Sequence, residues 1–328
     1  MSAAPAPGAA PQAPLDDVAK PVGANRWTPY ALLAPGMLWL TIFFIVPTIT
    51  LVYLSLSTGN VLNTVELPFS WEFANYWTVI EDYVIDEPVF QKSLVFALLA
   101  TLICLVVSYP LAYTIAFKAG RWKNLLLVLV IAPFFTSFLL RTNAWSTILA
   151  DGGFVVEFMK NTGMLTVLHA IQTPESWPSW LQILPDGLTG EDRLTQTPLA
   201  VILGLAYNFL PFMTLPLYAS LERLDIRLIE AATDLYSSAI TAFRKVTFPL
   251  SLPGVVAGTL LTFIPAAGDP VNSELLGATN DAMVGNVIDS QRGIGDYPIA
   301  AAMSVILMLT IVVLVALYVK RAGTEELV

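Results

Sequence analysis

Glu230 and Asp234 stand four residues apart in the run IEAATDLYSSAITAFRKVTFPLSLPG (residues 229–254), with Arg227 three residues before the first. On a helix this spacing puts both carboxylates on one face. Such a pair suits contact with a basic protein surface. Asp269 and Glu274 form a second acidic pair in a stretch punctuated by proline and glycine. Each could instead be a solvated loop acid, but together they have the chemistry to replace water around an ammonium group. Asn208 lies between Tyr207 and Phe209, and an aromatic face attracts a cation by about 0.5 to 2 kcal/mol. The sequence has no GxxxxGK[ST] phosphate loop, no HExxH and no nucleophile elbow, so neither ATP binding by that route nor hydrolysis is expected of this chain. Cys104 and His169 are each the only residue of their type. Neither has partners at ligand spacing, and no metal or other cofactor is expected here.

The elements that position these residues are membrane helices. Of 328 residues, 56% are hydrophobic and only 12% charged, with mean hydropathy +0.69; a soluble domain carries roughly a quarter charged residues. Crossing about 30 Å of hydrocarbon takes about 20 apolar residues in a helix, because lipid satisfies no backbone polar group. Six stretches qualify, at about 31–57, 93–117, 124–148, 198–221, 251–270 and 298–320. An all-α integral membrane fold follows, with one six-span domain over residues 28–328. Residues 1–27 are rich in Ala and Pro without an apolar run, which predicts a disordered tail. Residues 149–197, with Trp177 and Trp180, read as an outer segment of one or two short interfacial helices.

Eleven of the 16 basic residues fall on the side that holds the N-terminus, which sets both termini in the cytoplasm by the positive-inside rule. Seventeen of the 25 carboxylates then face outward. Asn208 lies ten residues into the fourth span, at roughly 15 Å depth, followed by the helix-breaking Pro211 and Pro216. It either lines a path or packs helix against helix. Pro265 and Gly268 interrupt the fifth span before Asp269, near its outer edge. Arg141, 17 residues into the third span, is expected to reach the outer interface and snorkel there.

Residues 222–250 form a cytoplasmic loop in this topology. Leu228, Ala232, Leu235, Ala239, Ile240, Phe243 and Val246 recur at three- and four-residue steps, one face of a helix. A helix lying on the membrane surface would favour a Lys/Arg-rich polar face, whereas here two carboxylates share it. A soluble protein partner fits better.

Glu230-Ala231-Ala232, Asp234, then Phe248-Pro249-Leu250 and Leu252-Pro253-Gly254, in the loop before the last two spans, resemble the EAA loop of bacterial ABC importer permeases of the binding-protein-dependent, type I class. Four further stretches resemble the spermidine/putrescine branch: IAPFFTSFLLRTNAW (131–145), YNFLPFMTLPLYASLERLD (207–225), FIPAAGDPVNSELLGATNDAMVGNVI (263–288) and DYPIAAAMS (296–304). The resemblance implies a six-span inner-membrane permease whose loop docks as a coupling helix on a separate ATPase. Glu230, Ala231, Ala232, Asp234, Tyr236, Arg244, Pro249, Pro253 and Gly254 would then serve coupling, and Tyr207, Asn208, Phe209, Asp269 and Glu274 the substrate path. It also implies a second permease chain, two ATPase copies that hold the ATP and Mg, and an extracytoplasmic binding protein. No nucleic-acid partner is expected.

One residue departs from the family pattern. Tyr236 occupies a place usually held by Gly, where positive φ is free for glycine and costly for tyrosine. The turn is expected to move to Ser237-Ser238. Another solute, such as a ferric complex, thiamine or a sugar, remains an alternative cargo. An ion-coupled secondary transporter would require inverted repeats and mid-membrane ionisable groups, which the sequence lacks.

Overall fold

The computed structural model describes residues 28–62, 67–171, 173, 178–179, 182–184, 187–190, 193–236 and 238–322. The N-terminal tail, Trp177, Trp180 and Ser237 lie outside them. The chain divides into two compact units, residues 1–50 and 51–328. In the first, residues 30–50 are helical and, apart from Thr48, exposed throughout. A helix apolar all round is built for lipid or protein. Thr41, Thr48 and Thr50 each turn their hydroxyl back onto the carbonyl four residues earlier, so no O–H is left unpaired in an apolar surround.

The helices, in chain order, are α1 (Tyr30–Ser55), α2 (Ala74–Ile80), α3 (Val89–Phe117), α4 (Gly120–Phe135), α5 (Phe138–Ile148), α6 (Phe154–Asn161), α7 (Met164–His169) and α8 (Pro198–Glu222). They continue with α9 (Ile226–Tyr236), α10 (Ile240–Leu250), α11 (Leu252–Ala267), α12 (Val271–Leu276), α13 (Val284–Gly293) and α14 (Tyr297–Ala322). The described regular structure is helical. By length and composition α1, α3, α8 and α14 can each cross a membrane, and six spans result if the bent pairs α4–α5 and α10–α11 each count as one.

The centre of the second unit is the three-way packing of α3, α8 and α11. Phe96, Ala100 and Cys104 of α3, Leu205, Met213 and Leu217 of α8, and Val255 and Ala266 of α11 are buried together. Water exclusion does not drive helices together inside lipid, so close approach must. The α8–α11 crossing supplies it through the Gly254-x-x-x-Gly258 pair. A methyl group at Gly254 would stand 2.5 Å from Ser220 Cβ and 2.9 Å from the Pro216 carbonyl oxygen; at Gly258 it would meet Met213.

The bends revise the straight-span reading. The third span turns by 96° between α4 and α5. Thr136 and Ser137 are extended there (ψ 155° and 134°), and Thr136 donates its hydroxyl to the Pro133 carbonyl at 2.7 Å. Arg141 therefore does not lie 17 rises up a straight helix, and the snorkelling expectation fails with that geometry. α8 runs unbroken through Pro211 and Pro216, contrary to expectation, packed along its length against α3 and α11. α11 likewise continues through Pro265 and ends at Gly268. Within 149–197, α6 and α7 are the short helices expected.

Candidate functional site

The loop residues divide by burial. Glu230, Ala231 and Asp234 are exposed on α9, Ala232 is buried, and Arg244 and Pro249 are exposed on α10. Pro253 is half-buried and Gly254 buried at the α8–α11 crossing, a packing position. α9 continues through Tyr236; the turn expected at Ser237-Ser238 falls on Ser237, which lies outside the described residues. The apolar positions expected on one helix face from Leu228 to Val246 are divided between two helices, α9 and α10. Leu228, Leu235 (75% exposed) and Ile240 (72% exposed) stand at the surface. On α9 Ala232 is buried and Ile229 half-buried, with Leu228 and Leu235 exposed beside them; beyond Tyr236 a new helix restarts the periodicity.

The loop is tied to the bundle by aromatics. Phe243 of α10 meets the Tyr109 ring of α3 edge-on at 5.4 Å, and Phe248 lies 5.9 Å from the same ring. The Ser251 hydroxyl donates to the Phe248 carbonyl at 2.9 Å, so the Tyr109 hydroxyl, 2.6 Å away, donates to Ser251. This knot sits at the 65° bend between α10 and α11, where Pro253 lacks the N–H that would continue the helix. Lys123 at the start of α4 pairs with Glu222 at the end of α8 at 2.6 Å. A cavity of about 500 Å³ opens between the end of α8 and the α10–α11 bend, lined by Pro216, Ser220, Arg223, Leu250 and Pro253.

Two candidate path residues meet in a buried polar chain. Asn208 Nδ2 donates to Thr142 Oγ1 and to Asn272 Oδ1, each at 3.0 Å. Asn272 Nδ2 donates to Asp269 Oδ2 at 2.5 Å, and Asp269 Oδ1 accepts the backbone N–H groups of Val271 and Asn272 at 2.6 and 3.2 Å. The chain thus links α5, α8 and the α11–α12 corner, with Thr142 and Asn272 fully buried and Asp269 and Asn208 nearly so. Of the two readings of Asn208, the structure supports helix packing. Asp269, expected at the outer mouth as a carboxylate that meets a cation, is instead buried: Gly268 ends α11, and the carboxylate folds back to cap the first turn of α12. Phe209 is buried beside Phe138 and Phe212. Tyr207 is partly exposed, edge-on to Trp145 at 5.5 Å. Glu274 is exposed and lines a cavity of about 360 Å³ with Gln196, Ser273, Gly277, Thr279 and Asn286.

Asn272, Thr142 and Tyr109 were not singled out from sequence. For Asn272 a signal existed: Asp269-Pro270-Val271-Asn272 has an acid three residues before a polar residue at a helix start, a local capping pattern. Thr142 and Tyr109 carry none, since polar residues inside spans pair only through the fold.

Long apolar helices, two bent pairs and a polar chain buried between helices are the architecture of a multi-span membrane protein. Its fold matches a crystal structure described as a bacterial alginate ABC transporter in complex with alginate pentasaccharide-bound periplasmic protein, with TM-score 0.59 and 16% identity over 92% of this chain and 95% of that one. The chain belongs to the family of binding-protein-dependent transport system inner membrane components, which matches residues 25–321. It is 34% identical over 281 residues to the spermidine/putrescine transport system permease protein PotB of Escherichia coli K12, covering 85% of this chain and 92% of that protein. It is also 33% identical over 108 residues to PotC of the same organism, likewise named a spermidine/putrescine transport system permease, covering 33% of this chain and 41% of PotC. The chain is accordingly a multi-pass permease of the inner membrane.

Proposed function

We propose that the chain is one of two membrane-spanning subunits of an ATP-driven importer that carries spermidine and putrescine into the cell. The observation that carries this reading is the 34% identity to PotB over 85% of the chain. Fold likeness alone does not select a cargo, as the matched alginate transporter illustrates. PotC, a second permease named for the same substrates, supports a heterologous pair, and the periplasmic protein bound to the alginate transporter supports delivery by a binding protein. ATP and Mg belong to two copies of a separate ATPase. That ATPase docks against the exposed α9 surface, where Glu230 and Asp234 stand beside Leu228 and Leu235: apolar anchors ringed by charge make a protein-docking pattern. The aromatic knot at Tyr109 then passes loop motion into α3 and α11.

Tyr207 and Glu274 are the exposed members of the candidate path, and they give a polycation an aromatic face and a carboxylate. Asn208, Asp269 and Phe209 position the helices behind them. Glu274→Gln is expected to lower uptake of labelled spermidine several-fold in proteoliposomes of both permeases, the ATPase and the binding protein, at unchanged protein level. Unlabelled putrescine should compete and a sugar should not. Competition by a sugar or ferric chelate, and none by polyamines, would replace the cargo assignment and leave the permease assignment standing.

Orientation rests on the basic-residue asymmetry. With Cys104 replaced, a cysteine at exposed Phe154 should react with a membrane-impermeant thiol reagent outside intact cells, and one at exposed Ile240 should not. The opposite pattern would invert the topology.

A further inference from the structure

The aromatic residues that follow α1 form an outward face pinned to the end of that helix. Tyr53 stands on the last turn of α1, its ring stacked with Phe69 at 5.1 Å. Phe69 meets Trp71 edge-on at 4.9 Å, and Trp71 lies beside Phe73 at 6.2 Å. Trp71 has left-handed backbone (φ 53°), a conformation costly for a bulky side chain. It is the tip of a tight loop: the N–H groups of Ser70 and Glu72, on either side of it, both donate to the Leu56 carbonyl, at 3.3 and 3.0 Å. α2 is fastened to the same place. Asn75 Nδ2 donates to the Ser55 and Ser57 carbonyls at 2.9 and 3.0 Å. The Ser55 hydroxyl donates to the Val52 carbonyl, so the Tyr76 hydroxyl, 2.6 Å away, donates to Ser55. Val79 of α2 is fully buried with Ala302 and Met303 of α14, which turns Phe73 and Trp77, four residues apart, to the far side. Trp71, Phe73 and Trp77 are 65, 63 and 64% exposed.

We infer that Trp71, Phe73 and Trp77 are a membrane anchor that seats the end of α1 in the headgroup interface of the bilayer. Depth is the first argument. α1 has 26 residues and is about 39 Å long, against about 30 Å of hydrocarbon, so its last turn reaches the headgroup layer. The bonds from Ser70, Glu72 and Asn75 hold the rings at that level. Chemistry is the second. An indole has an apolar ring and one N–H donor, which suits the boundary where hydrocarbon meets water. The face is amphipathic along α2 as well, since Glu81, one turn beyond Trp77, is exposed. A water-soluble protein would reach these rings only by entering the headgroup layer, so lipid is the occupant that the depth selects.

Tryptophan fluorescence of the full chain in liposomes tests the anchor. Subtracting the spectrum of the variant with Trp71→Phe and Trp77→Phe leaves the signal of these two indoles. Lipids brominated at the headgroup end of the acyl chain should quench that signal about twofold more than lipids brominated at the bilayer centre. Aqueous iodide should quench it weakly. Strong quenching by iodide with none by brominated lipid would overturn the assignment and leave the face to water or a soluble partner. So would lipid quenching that disappears when a second permease is reconstituted with the chain, which would give the face to that protein. Should the double variant fail to accumulate, a nitroxide on Ala74→Cys, exposed beside Phe73, reads the same depth with both indoles in place and Cys104 replaced. The label should collide more often with dissolved oxygen, which concentrates in lipid, than with a water-soluble nickel chelate. The reverse order would remove the anchor.

Discussion

Asn272→Leu is expected to lower the melting temperature of the detergent-solubilised chain by roughly 5 °C and to abolish uptake in the reconstituted importer. Asn272 is the middle of the buried chain, accepting from Asn208 and donating to Asp269. Leucine removes both bonds at once and leaves a buried amide and a buried carboxylate short of partners, at about 1 to 3 kcal/mol for each unsatisfied group. Asp269 keeps its two backbone donors, so the α12 turn survives while the link from α12 to α5 and α8 is lost. Asn208→Leu should cost a similar amount. The double variant should cost less than the two together, because both substitutions break the same bond. Strict additivity, or an unchanged melting temperature, would show that the cluster does not hold these helices.

Glu230→Lys is expected to reduce transport to background without loss of the protein from the membrane. Glu230 is exposed on α9, so a lysine there meets no buried packing, and the variant should still insert and accumulate in the membrane. At a docking surface the same change sets like charge against like, which weakens a specific interface by about 100-fold. Retention of the ATPase after extraction should therefore fall in parallel with uptake, with Glu230→Gln intermediate. Co-purification and uptake both at wild-type levels would remove Glu230 from coupling and shift attention to the exposed leucines beside it.

The two predictions separate the residues that were legible in sequence from those that were not. Glu230 was visible because a local spacing carries its meaning: an acid four residues from another, inside an amphipathic run and followed by two Pro-containing tripeptides. The membrane class, the apolar stretches and the polyamine-type segments were legible for the same reason, since hydropathy and motifs are properties of contiguous residues. The direction in which the α9 leucines point was not, because the burial arc of a short helix depends on what it lies against. Asn272 was passed over although Asp269 three residues earlier offered a capping pattern, and Asp269 was read as a path carboxylate; only the tie from Asn272 to Asn208, across 64 positions, leaves no mark in either segment.

By itself the sequence determined that the chain is built from apolar stretches able to cross a bilayer, where its amphipathic acidic run lies, and which known permeases it resembles. Lipid imposes those limits on every backbone group alike, so length and composition express them directly. The tertiary structure decided the rest. It bent the third span by 96° at Thr136–Ser137, kept α8 continuous through two prolines, and joined Asn208 to Asp269 through Asn272. It also left Arg141 buried without an acceptor. Each of these depends on the position of a second helix, and a side chain's partner or lack of one exists only once the helices have packed.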